Sequence, residues 1–292
     1  MFKIFIFIFT IILFTSCSSS YEKPLKISVN SWVGYSPLFY AHEKGWLKKY
    51  NIEILKVVSL AESMHIYSAK NVDAFTGTQY EYKIIKKRHT SLTPLIMFDK
   101  SFGGDMIFGN MSISDIQESK EKIDVYLELD SVNAILFKDF ISHYNIDEKR
   151  INYINKDQEK ISHLINSKKA SPTLIVTYSP YDLKLKKQGY QILFSTKEAL
   201  AITVVDALYA TKKTYLDHKK QFNGLKVEID KAIEALQKNP EDFFSHAKHY
   251  LQGMSYEEFS DSLDNIQWIN KSLPPKLIKK LYQTDYPLDG LI

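Results

Sequence analysis

The stretch Leu25-Lys26-Ile27-Ser28-Val29-Asn30-Ser31-Trp32-Val33-Gly34-Tyr35-Ser36-Pro37 reads as strand, loop and helix start in one unit. Leu25, Ile27 and Val29 alternate with polar residues, which is the period of a half-buried strand. Ser36-Pro37 has the form of an N-cap followed by a first helical residue, and Gly45 marks the stop. The same unit recurs. Strands are expected over 52–58, 72–75, 92–98, 123–129, 151–154, 173–176, 190–194 and 202–210. Helices are expected over 59–69, 79–87, 131–144 and 158–167, and from Ser179-Pro180 to Gly189. Alternation of this kind predicts an α/β fold, a mostly parallel sheet with helices on both faces. After Ala210 the signal turns helical, over 227–237, 241–251, a capping box at Ser255–Glu258, and 275–282.

Composition narrows the function. The 292 residues are 45% hydrophobic and 25% charged, which excludes disorder and low-complexity classes. Net charge is +4, and of 38 basic residues only Arg88 and Arg150 are arginine. A basic face with arginine forks, as nucleic acid requires, is not expected. Lys3 and the apolar run over 4–14 have the form of a signal peptide, too short for the ~20 residues that span a bilayer. Thr15 and Ser16 stand directly before Cys17, the only cysteine, so no intramolecular disulfide can form. This resembles the lipobox of bacterial lipoproteins, with Phe14 where leucine is usual. It implies a signal peptide over 1–16, a lipid anchor on Cys17 and a polar tether over 17–24.

Catalytic and cofactor motifs are sparse. G-x-G-x-x-G, G-x-x-x-x-G-K-[ST] and G-x-S-x-G are all missing, and no cofactor is expected. His246 and His249 lie three apart without a third ligand, and Asp99 with Asp105 lacks EF-hand spacing, so no metal is expected. The Lys86-Lys87-Arg88-His89 cluster fits the negative end of a helix.

Open α/β sheets bind ligands outside the carboxyl ends of their strands, and four such loops stand out. In the first, Trp32 and Tyr35 offer flat faces, Gly34 permits close approach, and Ser36 opens a helix with free N–H groups. The second carries Thr76 and Thr78. The third, Asp99-Lys100-Ser101-Phe102-Gly103-Gly104-Asp105, carries Ser101, Gly103, Gly104 and Asp105. The fourth carries Tyr178 and Tyr181. Asp206 lies in the apolar run 202–208, where a carboxylate must be paired or meet a ligand cation or N–H. Ser131, at a helix start, joins this ligand-facing set.

The segments Trp32-Val33-Gly34-Tyr35-Ser36-Pro37-Leu38, Asn71-Val72-Asp73-Ala74, Asp99 to Ile107 and Tyr178-Ser179-Pro180-Tyr181, with Val205-Asp206, occur in a familiar order. That order resembles the nitrate/sulfonate/taurine and thiamine-precursor group of solute-binding proteins of ABC importers. The resemblance implies the two-lobed type II periplasmic-binding-protein fold. One lobe would comprise 25–105 with 200–292, the other 106–199, with hinge closure between them. It implies a non-enzyme: a monomer, tethered outside the inner membrane, that passes a small organic solute to a permease and its ATPase. The solute would be aromatic or heterocyclic, amine-bearing, thiamine-precursor-like or sulfonate-like. The cysteine-rich motif of the group's pyrimidine-synthesising enzymes is missing. Two other readings remain at this point: a ligand-sensing partner of a receptor or kinase, and an enzyme using His65 or His89.

Overall fold

The computed structural model describes residues 23–166, 171–198, 201–269 and 272–292. The signal peptide, Cys17 and most of the tether lie outside the described residues.

The chain begins with β1 (Leu25–Val29), α1 (Ser36–Glu43), β2 (Ile52–Lys56), α2 (Leu60–Ser68), β3 (Ala74–Thr78), α3 (Gln79–Lys86) and β4 (Leu92–Ser101). It continues with β5 (Asp105–Gly109), α4 (Ile113–Glu118), β6 (Ile123–Leu127), α5 (Val132–His143), β7 (Ile151–Asn155), α6 (Gln158–Ser162), β8 (Thr173–Tyr178), α7 (Asp182–Lys187) and β9 (Gln191–Ser195). The last part is β10 (Val205–Thr211), α8 (Lys212–Asp217), α9 (Lys219–Lys238), α10 (Pro240–Ala247), α11 (Tyr256–Leu263), β11 (Ile266–Trp268) and α12 (Pro275–Tyr282).

These strands form two sheets, ordered β11-β4-β10-β3-β1-β2 and β7-β6-β8-β5-β9. β1 pairs in parallel with β2 and β3, and β6 with β7 and β8. β10 runs antiparallel between β3 and β4, and β5 antiparallel between β8 and β9. Each sheet therefore carries one reversed strand inside an otherwise co-directional set, with β11 as an antiparallel edge on the first.

Each sheet is covered on both faces. Along β10, Leu208 and Ala210 enter the core shared with α1 and α9, while Val205, Ala207 and Tyr209 enter the core shared with α3 and α12. Along β8, Leu174 and Val176 face α5, and Ile175 faces the side of α6 and α7. Strand alternation places successive side chains on opposite faces, so both faces had to be apolar.

The chain crosses between sheets twice, at neighbouring points. β4 ends at Ser101 and β5 starts at Asp105, so Asp99 lies within a strand and only residues 102–104 turn. The Ser101 hydroxyl is 2.9 Å from the Thr196 hydroxyl, which also accepts from the Gly103 N–H at 2.7 Å. Thr196 N–H donates to the Asp105 carbonyl at 3.0 Å. The two crossings are thus laced together.

Several sequence expectations need correction. Ser36 is the first residue of α1 rather than its cap, because a single 3-10 turn over Val33–Tyr35 runs straight into the helix. Ser179-Pro180 does not open α7; the peptide is cis and the helix begins at Asp182. α6 ends at Ser162, not beyond it.

Candidate functional site

The ends of β1, β3 and β8 and the starts of β5 and β10 meet between the two sheets. Asn30, Trp32, Leu60, Thr78, Asp105, Tyr178 and Asp206 enclose a small space there. Its volume is ≈ 10 Å³ for the centre of a water-sized sphere, about one water molecule. The facing walls touch. Asn30 Nδ2 donates to the Tyr178 hydroxyl at 3.0 Å, and the Trp32 and Tyr178 rings meet edge to face at 6.2 Å. The Tyr181 hydroxyl donates to the Val58 carbonyl at 2.8 Å.

Of the residues singled out by sequence, Trp32, Thr78, Asp105, Tyr178 and Asp206 line this space. The others stand behind it. The Tyr35 hydroxyl donates to Asp206 Oδ1 at 2.5 Å and so orients that carboxylate. Gly34 and Gly104 serve packing: a Cβ on Gly34 would lie 2.1 Å from Asp99 Oδ2, and one on Gly104 2.2 Å from the Trp32 ring. Gly103 holds the turn at φ +112°. Ser101 Oγ accepts from the Asp105 N–H at 3.2 Å. Thr76 Oγ1 donates to the Ser28 carbonyl inside the sheet. Ser36 is buried and its hydroxyl finds no hydrogen-bond partner. Ser131 caps α5, and its hydroxyl donates to the Glu128 carbonyl at 3.1 Å.

Three carboxylates important to the site were not among the expected ligand-facing residues. Asp99 is fully buried behind Trp32; its Oδ2 receives the indole N–H at 3.4 Å, while its Oδ1 has no partner. Glu81, on α3, accepts from Thr78 N–H at 2.8 Å, and from Val132 N–H at 2.9 Å. Val132 opens α5, so this carboxylate links the two sheets' helices. Glu128 Oε1 accepts from Gln158 N–H at 3.1 Å, at the start of α6. The Thr78-x-x-Glu81 spacing signals a capping box, which does form; nothing in it signals the reach to α5.

The electrostatics follow from burial. Asp206 and Asp99 are both pushed well above the usual carboxylate range, first by burial. For Asp206 the neighbouring charges of Asp99 and Asp105 add to it. Asp105 is pushed up to about 7, chiefly by burial and further by Glu81, against the Ser101 hydroxyl. Glu128 rises to about 8 by burial and by Glu81. No described Lys or Arg forms an ion pair with any of these carboxylates.

The histidines are elsewhere. His65 lies on an outer groove with Glu62 and Lys160, and His89 packs on Tyr67 at 5.6 Å. The described residues contain no group of three His, Cys, Asp or Glu that could hold a metal.

Comparison with solved structures adds the fold. The ligand-binding component of an ABC-type import system from Staphylococcus aureus, solved with zinc bound, superposes with TM-score 0.70 at 13% identity, covering 92% of this chain and 96% of that one. The chain has the periplasmic-binding-protein fold. The alkanesulfonate-binding protein SsuA from Xanthomonas axonopodis, bound to MOPS, gives TM-score 0.68 at 10% identity, covering 92% and 99%. The nitrate-binding protein NrtA from Synechocystis gives 0.61 at 12% identity, covering 81% and 68%. No protein-family model matches the chain, and no curated protein matches it in sequence.

Proposed function

We propose that this chain is an extracytoplasmic solute-binding lipoprotein. It holds a small organic solute between its lobes and delivers it to an ABC permease and ATPase. The lobes would be 25–105 with 200–292, and 106–199, moving about the laced crossings. Cys17 would carry the lipid anchor, and the protein would act as a monomer without catalysis.

One observation carries this reading. The polar and aromatic side chains at the strand ends of both sheets converge on one enclosed space, and they are held there by bonds across the cleft. That is the expected form of a clamshell in its closed state. The import components among proteins of this fold support the permease partner. Neither His65 nor His89 lines the space, which supports binding over the histidine-based catalysis considered above.

The test is direct. The full-length protein is purified from its native membrane, and the small molecules released on denaturation are identified by mass spectrometry. A solute in stoichiometric amount, whose uptake by cells stops when the gene is deleted, is the expected result. Undiminished uptake would move the protein to a sensing role, and turnover of the solute by the purified protein would make it an enzyme. Cys17→Ser should release the protein from the membrane.

A further inference from the structure

Resting on the solute-binding reading above, we infer that the cleft selects a small organic cation. An ammonium group or a protonated nitrogen ring would donate its N–H groups to Asp105 and Asp206, with its apolar body between Trp32, Leu60 and Tyr178, walls that must part to admit it from the one-water space they now enclose.

The first ground is the lining itself. Asp105 and Asp206 are the charged groups that face the space, one from each sheet, and they are 4% and 3% exposed. Asp206 has its tyrosine donor, but a single neutral hydroxyl does not offset the burial of a full charge. Asp99 reinforces the field from behind. It pairs in register with Asp206 across β4 and β10, and its Oδ1 is buried without a partner. A cation in the space would sit against two carboxylates, with a third behind Trp32, and with Trp32 and Tyr178 as aromatic walls for cation–π contact.

The second ground is independent of the first. In an α/β cleft an anion is received by the free N–H groups of helix N-termini. At the starts of α5 and α6 the chain's own carboxylates already take those positions, whereas α1 has no side-chain cap. Glu81 receives the Val132 N–H of α5, and Glu128 receives the Gln158 N–H of α6. The first turn of α2 is closed by its own Ser59, which accepts from Glu62 N–H at 3.0 Å. A sulfonate or nitrate received at α5 or α6 would have to displace these carboxylates, and anywhere in the space it would lie beside Asp105 and Asp206.

Binding should also move protons. A cation favours ionised carboxylates, so it draws down groups that burial holds high. Asp105 faces Glu81, Ser101, Asp99 and Asp206, and no lysine or arginine among the described residues pairs with it. Affinity should therefore rise as pH increases through about 7.

The experiment uses the full-length protein and solutes matched in shape but opposite in charge: benzylammonium with benzenesulfonate, and propylammonium with propanesulfonate. Thermal shift and calorimetric titration are run at pH 6 and pH 8. The ammonium members should raise Tm and bind at least tenfold tighter at pH 8, while the sulfonates should do neither. Asp206→Asn and Asp105→Asn should each weaken ammonium binding at least tenfold while melting cooperatively. Sulfonate binding, or ammonium binding unchanged in both variants, would overturn the cation assignment and leave the solute-binding reading intact. If no solute of either charge binds, the solute-binding reading itself fails.

Discussion

The carboxylates of the outer helices and those of the cleft live in opposite worlds. Outside, Glu258 lies 2.9 Å from the Lys187 ammonium. The Ser255 N–H and that lysine hold it below its ordinary range. Asp157 lies 2.6 Å from Lys160; burial pushes it up, yet the lysine bonds win and it too is held low. Inside, Asp99, Asp105, Asp206 and Glu128 are all pushed up, by burial first and then by a neighbouring carboxylate, and Glu81 is pushed up by burial alone, against its hydrogen bonds. The chain is +4 overall, but its lysines are on the surface and its cleft is acidic. Net charge describes the outside of this molecule and misdescribes its binding space.

The largest expected effect removes one member of the inner group. A carboxyl whose folded pKa is raised contributes stability that is full below its unfolded pKa and is lost as pH rises through the folded value. For Asp105 that window runs from 3.8 to about 7, a loss of about 4 kcal/mol by pH 8. Asp105→Asn should escape it. Urea unfolding should show the variant more stable than wild type at pH 8 by up to that amount, with the two nearly equal at pH 4. A wild-type-minus-variant difference that stays flat with pH would break the comparison.

Glu81 comes next, because it is both an inner carboxylate and a latch. Glu81→Ala strands the Thr78 and Val132 N–H groups, at about 1–3 kcal/mol for each buried donor. Relief of the buried charge offsets part of this, so a net loss of about 2 kcal/mol is expected. The lobes should also part, raising the radius of gyration in solution scattering, and Glu81→Gln should restore the closed form. An unchanged radius for the alanine variant would mean that Glu81 is a cap and nothing more. A smaller effect belongs to Tyr35→Phe. Leaving the buried Asp206 oxygen without its donor costs about 1.5 kcal/mol, and the loss should grow with pH, because the ionised form of Asp206 needs that donor most.

Much of this fold is legible from pattern. The strand before Asn30 and the Ser131 cap follow from period-2 alternation and capping chemistry, which act over a few residues, whereas the strand expected to end at Phe75 runs on to Thr78, buried along its whole length. β5 is not legible, because Gly103-Gly104 reads as loop on both sides, and Asp105 as a loop carboxylate rather than the first residue of a central strand. β11 is three residues long and exists because β4 offers it an edge. The site divides the same way. Trp32 and Tyr178 announce themselves as aromatics at strand ends. Asp99 behind Trp32, Glu81 on Val132 and Tyr35 on Asp206 are 67, 51 and 171 residues apart in sequence. The Glu81 bond crosses between the two sheets' helices, while the other two pairings are set by packing within the first sheet, and no local signal encodes any of them.

The smallest effect sharpens the contrast from the outside. Lys213 and Asp217 form an ion pair at 2.5 Å, one helical turn apart on α8, with side chains 82% and 53% exposed. The short distance suggests strength, but water screens both charges, and two long side chains lose freedom to meet. Exposed pairs of this kind contribute about 0.3–0.5 kcal/mol. Asp217→Asn should therefore shift unfolding by no more than that, with any shift vanishing in 1 M salt, where the screening length falls to about 3 Å. The Asp105→Asn difference should survive the same salt, because its carboxylate lies where ions do not reach. If salt erased both differences alike, the cleft would be open to solvent, and the distinction between the two sets of carboxylates would fall with it.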